Sequence, residues 1–103
     1  MITAIVNFKL PDGTTREQAR ELFEASVPRF EGLPGLIRKY YLYGENGIGG
    51  GAYLWESREA ADRVYSGEWR KSIEQRYGVA PTITYFDTDV IVDNTLGTAA
   101  AAE

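Results

Sequence analysis

The sequence predicts a single α+β domain whose elements follow the order β-α-β-β-α-β. The most informative stretch is Gly49–Ser57, in which a glycine-opened run of β-prone residues passes directly into a helix cap. The spacing of apolar residues also changes along the chain, from every second residue to every third or fourth. A length of 103 residues suits one hydrophobic core. These features indicate that the middle of the chain is a strand followed by a helix.

The first strand is expected over about residues 2 to 9, and a helix follows it. Thr14 and Glu17 have the spacing of a capping box, so the helix is expected to begin there and to reach about residue 31. Pro28 removes a backbone hydrogen bond near the end, and we expect it to kink or shorten the last turn. The apolar stripe of this helix consists of Ala19, Leu22, Phe23, Ser26, Val27 and Phe30.

A hairpin is predicted in the middle of the chain. Gly32–Gly35 ends the first helix, and Leu36–Tyr43 favours a strand because aromatic and branched residues dominate it. Gly44–Gly47 then turns the chain toward a partner strand over Ile48–Glu56. Ser57 is the predicted N-cap of the next helix.

Two short helices are expected after the hairpin. Gly67 interrupts the first of them, and the second begins at Glu68 and ends at Gly78. The apolar side of the first helix consists of Ala60, Ala61, Val64 and Tyr65. One face of the second helix carries Trp69, Ile73 and Tyr77.

The last element is predicted to be a long strand, from Thr82 to about Val92. Its two faces carry Ile83, Tyr85 and Ile91 on one side and Phe86, Val90 and Val92 on the other. The helices can cover only one face of the sheet, and a large apolar face is rarely left open in a monomer. We therefore predict a ferredoxin-like antiparallel sheet whose open face packs against a second chain in a homodimer. The domain is expected to span residues 1–95, with residues 96–103 as a flexible tail.

Composition disfavours several classes of function. The chain has no histidine and no cysteine, which supply most metal ligands, neutral-pH bases and thiol nucleophiles. The net charge of -4 disfavours a nucleic-acid partner. No apolar stretch approaches the roughly 20 residues that cross a bilayer, and the first residues lack the pattern of a signal peptide. We therefore expect a cytoplasmic protein with no membrane partner.

Several segments, in their order and spacing, resemble the dimeric α+β barrel superfamily and, within it, the YdhR-type monooxygenases. They are Pro34–Leu36 with Lys39–Leu42, Gly50–Glu56, Arg76–Gly78, and Tyr85–Asp87 with Val92–Asn94. The likeness covers about residues 1 to 95. It implies a homodimeric α+β barrel with two sheets face to face. It also implies, in each subunit, a cavity between helices and sheet for a small hydrophobic or aromatic ligand.

The resemblance also implies site residues. Haem-degrading members use an Asn on the first strand, a Trp on a helix and an iron-ligating His, and Asn7, Trp69 and Tyr77 resemble that trio in order. Without histidine only an oxygen donor such as Tyr77 could hold iron, so we expect chemistry without a cofactor or metal. In the cofactor-independent oxygenases of the superfamily, a phenolic substrate itself reacts with dioxygen. By that likeness Asn7 binds a substrate oxygen, Trp69 stacks on a ring, and Arg76 or Tyr77 steadies an oxyanion.

Further aromatic residues are candidates for substrate contact, namely Tyr40, Tyr53, Trp55 and Tyr85. The competing interpretation is core packing, which the helical spacing of Trp69 and Tyr77 fits at least as well. The glycines of Gly49–Gly51 leave space on the sheet either for a ligand or for the tyrosine rings across the hairpin.

Charged residues indicate weaker candidate sites. Asp87, Asp89 and Asp93 would share one side of a regular strand, where a solvated strand end explains them better than a metal site does. Arg38 and Lys39 could anchor an acidic substrate or form an ion pair at the edge of a dimer.

The predicted function is that of a cofactor-independent monooxygenase acting on a small aromatic or hydrophobic molecule. The alternative is a non-catalytic, ligand-binding or stress-associated homodimer on the same fold. For an enzyme, Asn7→Ala is expected to abolish substrate-dependent oxygen uptake and to leave folding intact.

Overall fold

A computed structural model describes residues 1–95, and within this range the chain forms four strands and three helices. The strands are β1 (Ile2–Lys9), β2 (Leu36–Tyr43), β3 (Ile48–Trp55) and β4 (Thr82–Asp87). The helices are α1 (Arg16–Phe30), α2 (Arg58–Val64) and α3 (Gly67–Tyr77). The strand order is β2-β3-β1-β4, and all neighbouring strands are antiparallel. The predicted ferredoxin-like α+β fold is therefore confirmed.

The first helix begins one residue later than predicted. The N-cap is Thr15, whose side chain accepts from the backbone N–H of Gln18 while Gln18 bonds back to the Thr15 N–H. The predicted cap, Thr14, instead donates its hydroxyl proton to the Pro11 carbonyl at 2.6 Å and belongs to the preceding turn. Pro28 lies inside α1, which continues to Phe30, because a proline so close to the C-terminus removes only one bond of the last turns.

The caps of α2 and α3 are formed by serines and a glycine. Ser57 caps α2 as predicted, with its hydroxyl accepting from the Ala60 N–H at 3.1 Å. Ser66 caps α3, so Gly67 is the first residue of that helix and the predicted start at Glu68 is one residue late. α3 ends at Gly78 as predicted, and this glycine has the left-handed conformation, with φ of 84°.

The hydrophobic core lies between one face of the sheet and the helices. Successive strand residues point to opposite faces, and the fully or nearly fully buried residues Ala4, Val6 and Phe8 place the even-numbered positions of β1 on the helix side. Register then places Tyr53 and Trp55 of β3 on that side, because they pair with Ala4 and Ile2. The helices, with the C-cap residue Tyr65 of α2, contribute mainly Ala19, Phe23, Ala60, Ala61, Tyr65, Ile73 and Tyr77 to this core.

The last strand is shorter than predicted. It ends at Asp87, which pairs with Ile2, the first residue of β1. Beyond it, the Thr88 N–H donates to the Met1 carbonyl at 2.9 Å, and the Thr88 and Thr3 hydroxyls are hydrogen-bonded. The three aspartates therefore do not share one regular strand.

Residues 88–93 pass from the β4 edge of the sheet toward the β2 edge. There the guanidinium of Arg38 donates to the carboxylate of Asp93 at 3.1 Å. Bonds from Thr95 and Arg38 lower the pKa of Asp93 to about 2. Among residues 1–95 no group of three or more carboxylates is placed to hold a metal ion.

The face of the sheet opposite the helices remains open in the described part of the chain. It carries alternate residues of every strand, including Asn7 on β1 and Ala52 on β3. Tyr40 and Phe86 on this face are 55% and 52% exposed, and Val90 beyond β4 is 85% exposed.

Among residues 1–95 no helix is long and apolar enough to cross a bilayer. The predicted tail, residues 96–103, lies outside the described residues.

Candidate functional site

A small cavity lies between α1, α3 and the helix-facing side of the sheet. Its volume is about 30 Å³, which is room for water-sized molecules. The walls are mostly aromatic, with Phe8 and Tyr53 on the sheet, Phe30 on α1, and Trp69 and Tyr77 on α3.

Three of the four predicted catalytic residues line this cavity. Trp69, Arg76 and Tyr77 lie on α3 at positions separated by about two helical turns, which turns them toward the sheet together. The Tyr77 ring packs on Phe8 with centroids 4.2 Å apart. Burial raises the pKa of Tyr77, and the neighbouring Arg76 guanidinium offsets part of the rise.

Asn7 lies on the other side of the sheet. It pairs with Gly50 of β3, and its neighbours Val6 and Phe8 are the ones that face the helices. Because side chains alternate along a strand, the Asn7 amide projects onto the open face, where it is half-buried. The predicted quartet is therefore split by the sheet, with one member on the open face and three in the cavity.

The four predicted substrate contacts are also divided. Tyr53 lines the cavity, whereas Trp55 is fully buried and donates its Nε1–H to the Tyr65 hydroxyl at 3.1 Å. Tyr85 is on the helix side of β4, covered by the guanidinium of Arg58 at 3.6 Å from its ring centroid. Tyr40 is on the open face, where its hydroxyl accepts from Arg38 at 3.1 Å.

The cavity also contains Lys39, which the sequence indicates only as an anchor for an acidic substrate or a partner in a dimer-edge ion pair. Its Nζ lies over three ring faces, 3.5 Å from the centroid of Phe30, 4.0 Å from Tyr41 and 4.5 Å from Tyr53. Within residues 1–95, no carboxylate lies within salt-bridge distance of this amine. The two-residue period of a strand is the signal that could have predicted this position, because alternation along β2 places Lys39 on the same face as Tyr41.

The environment of Lys39 destabilises its charged form. Burial lowers the pKa of the Lys39 ammonium to about 7. The three ring faces attract a cation and work against this shift, but they also keep water away. The neutral amine and the ammonium are therefore close in free energy at neutral pH.

Glycines in β3 make room for this lysine. A Cβ on Gly51 would lie 3.2 Å from Cε of Lys39 and 3.0 Å from Cε1 of Tyr53. A Cβ on Gly49 would lie 3.0 Å from two side-chain carbons of Leu10. The space left by these glycines is thus filled by Lys39, Tyr53 and Leu10.

The Tyr41 side chain, which lies next to Lys39 on the same face of β2, is held in place by a hydrogen bond to Ser26. Ser26 donates its only hydroxyl proton to the Phe23 carbonyl at 2.9 Å, so the Tyr41 hydroxyl must be the donor in its 2.7 Å bond to Ser26. This bond ties β2 to α1 beside the cavity. Burial raises the pKa of Tyr41, which keeps the hydroxyl protonated.

The cavity does not suit a haem. Burial of the Tyr77 hydroxyl disfavours the phenolate that would ligate iron, and its ring is occupied by packing on Phe8.

No protein-family model matches the chain, and no curated protein matches it. Solved structures do match. A monooxygenase of the gene ActVA-Orf6 of Streptomyces coelicolor, in complex with nanaomycin D, is 21% identical with a TM-score of 0.64, covering 90% of this chain and 92% of that one. SnoaB, a cofactor-independent oxygenase from Streptomyces nogalater, is 13% identical with a TM-score of 0.64, covering 88% and 95%.

A third match is a mutant of MhuD with two manganese protoporphyrin IX molecules bound per active site. It is 19% identical with a TM-score of 0.67, covering 91% of this chain and 100% of that one. At such identities a match shows the fold alone. The chain has the fold of these oxygenases and of this porphyrin-binding protein.

Proposed function

We propose that this protein is a cofactor-independent monooxygenase of small hydroxylated aromatic molecules, a homodimer of the YdhR type. The observation that carries the proposal is the cavity on the helix side of the sheet, where aromatic walls meet the cationic side chains of Lys39 and Arg76. Two solved structures of the same fold, described as a monooxygenase and a cofactor-independent oxygenase, support it.

In this reaction the substrate supplies the electrons and dioxygen is the oxidant. For an anthrone, two hydrogens leave the reacting carbon, one oxygen atom enters as the new carbonyl, and the other leaves as water. The protein binds and orients the ring and stabilises the anion that reacts. We assign ring stacking to Trp69 and stabilisation of the oxyanion to Arg76, with Tyr53 and Tyr77 as apolar walls.

A ligand of this size must displace side chains, because the cavity has a volume of only about 30 Å³. Trp69 is half-buried and Arg29 exposed, so these two can move with the least loss of packing. We propose that the ring enters between them, from the gap between α1 and α3.

Removing the Trp69 ring or the Arg76 charge is expected to abolish most of the turnover. Oxygen uptake is measured with an oxygen electrode on dithranol, a hydroxylated anthrone, and on a panel of smaller phenols. For Arg76→Gln we expect a loss of about 10²-fold in kcat, the range found for a lost oxyanion donor. For Trp69→Ala we expect a loss of at least about tenfold in kcat/KM, because the stacking surface is gone.

Asn7→Ala is the matched control, because Asn7 lies on the opposite face of the sheet from the cavity. It is expected to keep its turnover, in contrast to the expectation from the sequence alone. Turnover that is lost in Asn7→Ala and kept in Arg76→Gln would contradict the proposed site. Binding of the panel without any oxygen uptake would favour a non-catalytic, ligand-binding protein and overturn the proposed activity.

We also propose that the open face of the sheet forms the homodimer interface. Its exposed apolar residues and the valines beyond β4 form a surface that a second copy would bury. Phe86→Asp places a charge on this surface, and we expect it to convert the dimer to a monomer in native mass spectrometry. Val79→Asp, at an exposed apolar residue in the loop before β4, is the control and is expected to remain dimeric. A monomeric wild type would refute this interface.

A further inference from the structure

We propose that Lys39 is the base of this cavity: its amine takes the acidic proton of a bound hydroxyaromatic molecule, and the ammonium so formed pairs with the phenolate. The inference rests on the proposed function, since it assigns a proton acceptor to the same site. Asn7 cannot serve, because an amide is not a base and lies on the opposite face. Tyr77 is also unsuited, because burial disfavours its phenolate.

The charge of the cavity favours an anion. Arg29, Lys39 and Arg76 line it, and no Asp or Glu among residues 1–95 does so, although the whole chain carries a net charge of -4. Charges in a region of low dielectric act strongly on one another, so two arginines without a carboxylate, joined by the ammonium once Lys39 is protonated, favour an anion in the cavity. Of these three, only lysine can release and accept a proton near neutral pH, because arginine stays charged.

The position of the amine suits a proton acceptor. Nζ is in contact with the rings of Phe30, Tyr41 and Tyr53 at 3.5 to 4.5 Å from their centroids, which removes much of its water. A ligand hydroxyl that reaches this part of the cavity would lie close to the Lys39 nitrogen, which is enclosed by these rings. The titratable or charged groups around Lys39 in the cavity are Tyr41 and Tyr53 on the sheet, Arg29 on α1, and Arg76 and Tyr77 on α3. Lys39 also lines a second groove, between the end of α1 and the start of β2, together with Glu31 and Arg38.

The step itself is a proton transfer. The O–H bond of the phenol breaks and its electron pair stays on oxygen, while the lone pair of the Lys39 nitrogen forms a new N–H bond. No electron leaves the two molecules, so this step consumes no oxidant. The phenolate is the electron-rich form that then reacts with dioxygen in the proposed reaction.

The test uses para-nitrophenol, whose phenolate absorbs visible light, and para-nitroanisole, which has nearly the same shape and no acidic proton. Both are titrated with the full-length protein at about pH 7, where much of Lys39 is the neutral amine and much of the free probe is still the phenol. We expect the visible phenolate band to grow on binding, and para-nitrophenol to bind at least about tenfold more tightly than para-nitroanisole, equivalent to about 1.4 kcal/mol.

Three variants test whether the phenolate band and the binding preference depend on Lys39. Lys39→Met is expected to lose the phenolate band and the tenfold preference. Lys71→Met, at an exposed lysine of α3, is the control and is expected to behave as wild type. Lys39→Arg keeps a cation that cannot act as a base, so we expect the bound phenolate to remain and the dependence of oxygen uptake on pH through about 7 to disappear.

An unchanged band in Lys39→Met, equal binding of the two probes, or no binding of para-nitrophenol would each overturn the role of Lys39. The binding experiments involve no oxygen chemistry, so their failure is separate from failure of the proposed function. If oxygen uptake persists in Lys39→Met, the protein is a monooxygenase and Lys39 is not its base. If the phenolate band appears but no oxygen is consumed, Lys39 binds the phenolate and the protein is not an oxygenase.

Discussion

Replacing Gly50 by alanine is expected to lower the free energy of unfolding by more than about 3 kcal/mol or to prevent folding. A Cβ at this position would lie 1.8 Å from the carbonyl oxygen of Val6 and 2.8 Å from its carbonyl carbon. Both of these atoms are backbone atoms of β1, the central strand to which Gly50 is paired, so neither can swing away. The φ of 156° adds backbone strain for any residue with a side chain.

Gly67→Ala provides the matched control for this prediction. Gly67 is the first residue of α3, a Cβ added there would meet nothing within 4 Å, and its φ is not positive. We expect this variant to gain about 0.4–1 kcal/mol in stability, because alanine restricts the unfolded chain. Urea denaturation followed by tryptophan fluorescence measures both changes. A Gly50→Ala variant within about 1 kcal/mol of wild type would show that β1 and β3 are not paired in this register.

Replacing Lys39 by methionine is expected to stabilise the protein, and most strongly at low pH. The pKa of Lys39 is near 7 in the folded chain and about 10.5 in the unfolded chain. Between these values the unfolded chain binds one more proton, so the stability of the wild type rises with pH through this window. Below about 7 the wild type carries the full cost of a desolvated ammonium, and above about 10.5 it carries none.

We therefore expect Lys39→Met to exceed the wild type by about 3 kcal/mol near pH 6, after allowance for the partial exposure of the lysine. The difference is expected to shrink as the pH rises from 7 to 10.5. Urea denaturation across this range measures it, with Lys71→Met as a control that shows no such trend. Since the chain has only three lysines, NMR titration of their side-chain Cε signals measures the pKa directly. Three similar pKa values near 10 would contradict the buried position of Lys39.

Local sequence was sufficient to predict the strands and helices and most of their boundaries. The passage from Gly49 to Ser57 predicts a strand and then a helix, and both are found, because glycine, branched and aromatic residues and a serine cap act over a few residues. The left-handed end of α3 at Gly78 is equally local. The order of these elements then leaves few topologies, of which the ferredoxin-like sheet is the one observed.

The site is less accessible to sequence reasoning. Alternation shows which residues of a strand share a face, but it does not show which face the helices will cover. The resemblance to haem-degrading proteins groups Asn7 with Trp69 and Tyr77, although the even-numbered positions of β1 face the helices. For the same reason the sequence offers Lys39 only as an anchor for an acidic substrate or as part of an ion pair at a dimer edge. The packing of α1 over β2 adds the enclosure of its amine among aromatic rings.

The end of β4 is likewise decided by a partner strand. The apolar pattern continues to Val92, but the pairing of β4 with β1 ends at Asp87, and residues 88–93 turn toward the β2 edge of the sheet. The class of fold, the order of the elements and most of the helix caps could be predicted, since these depend on neighbours along the chain. The face, the register and the surroundings of each candidate residue follow from packing, because they depend on contacts between segments far apart in sequence.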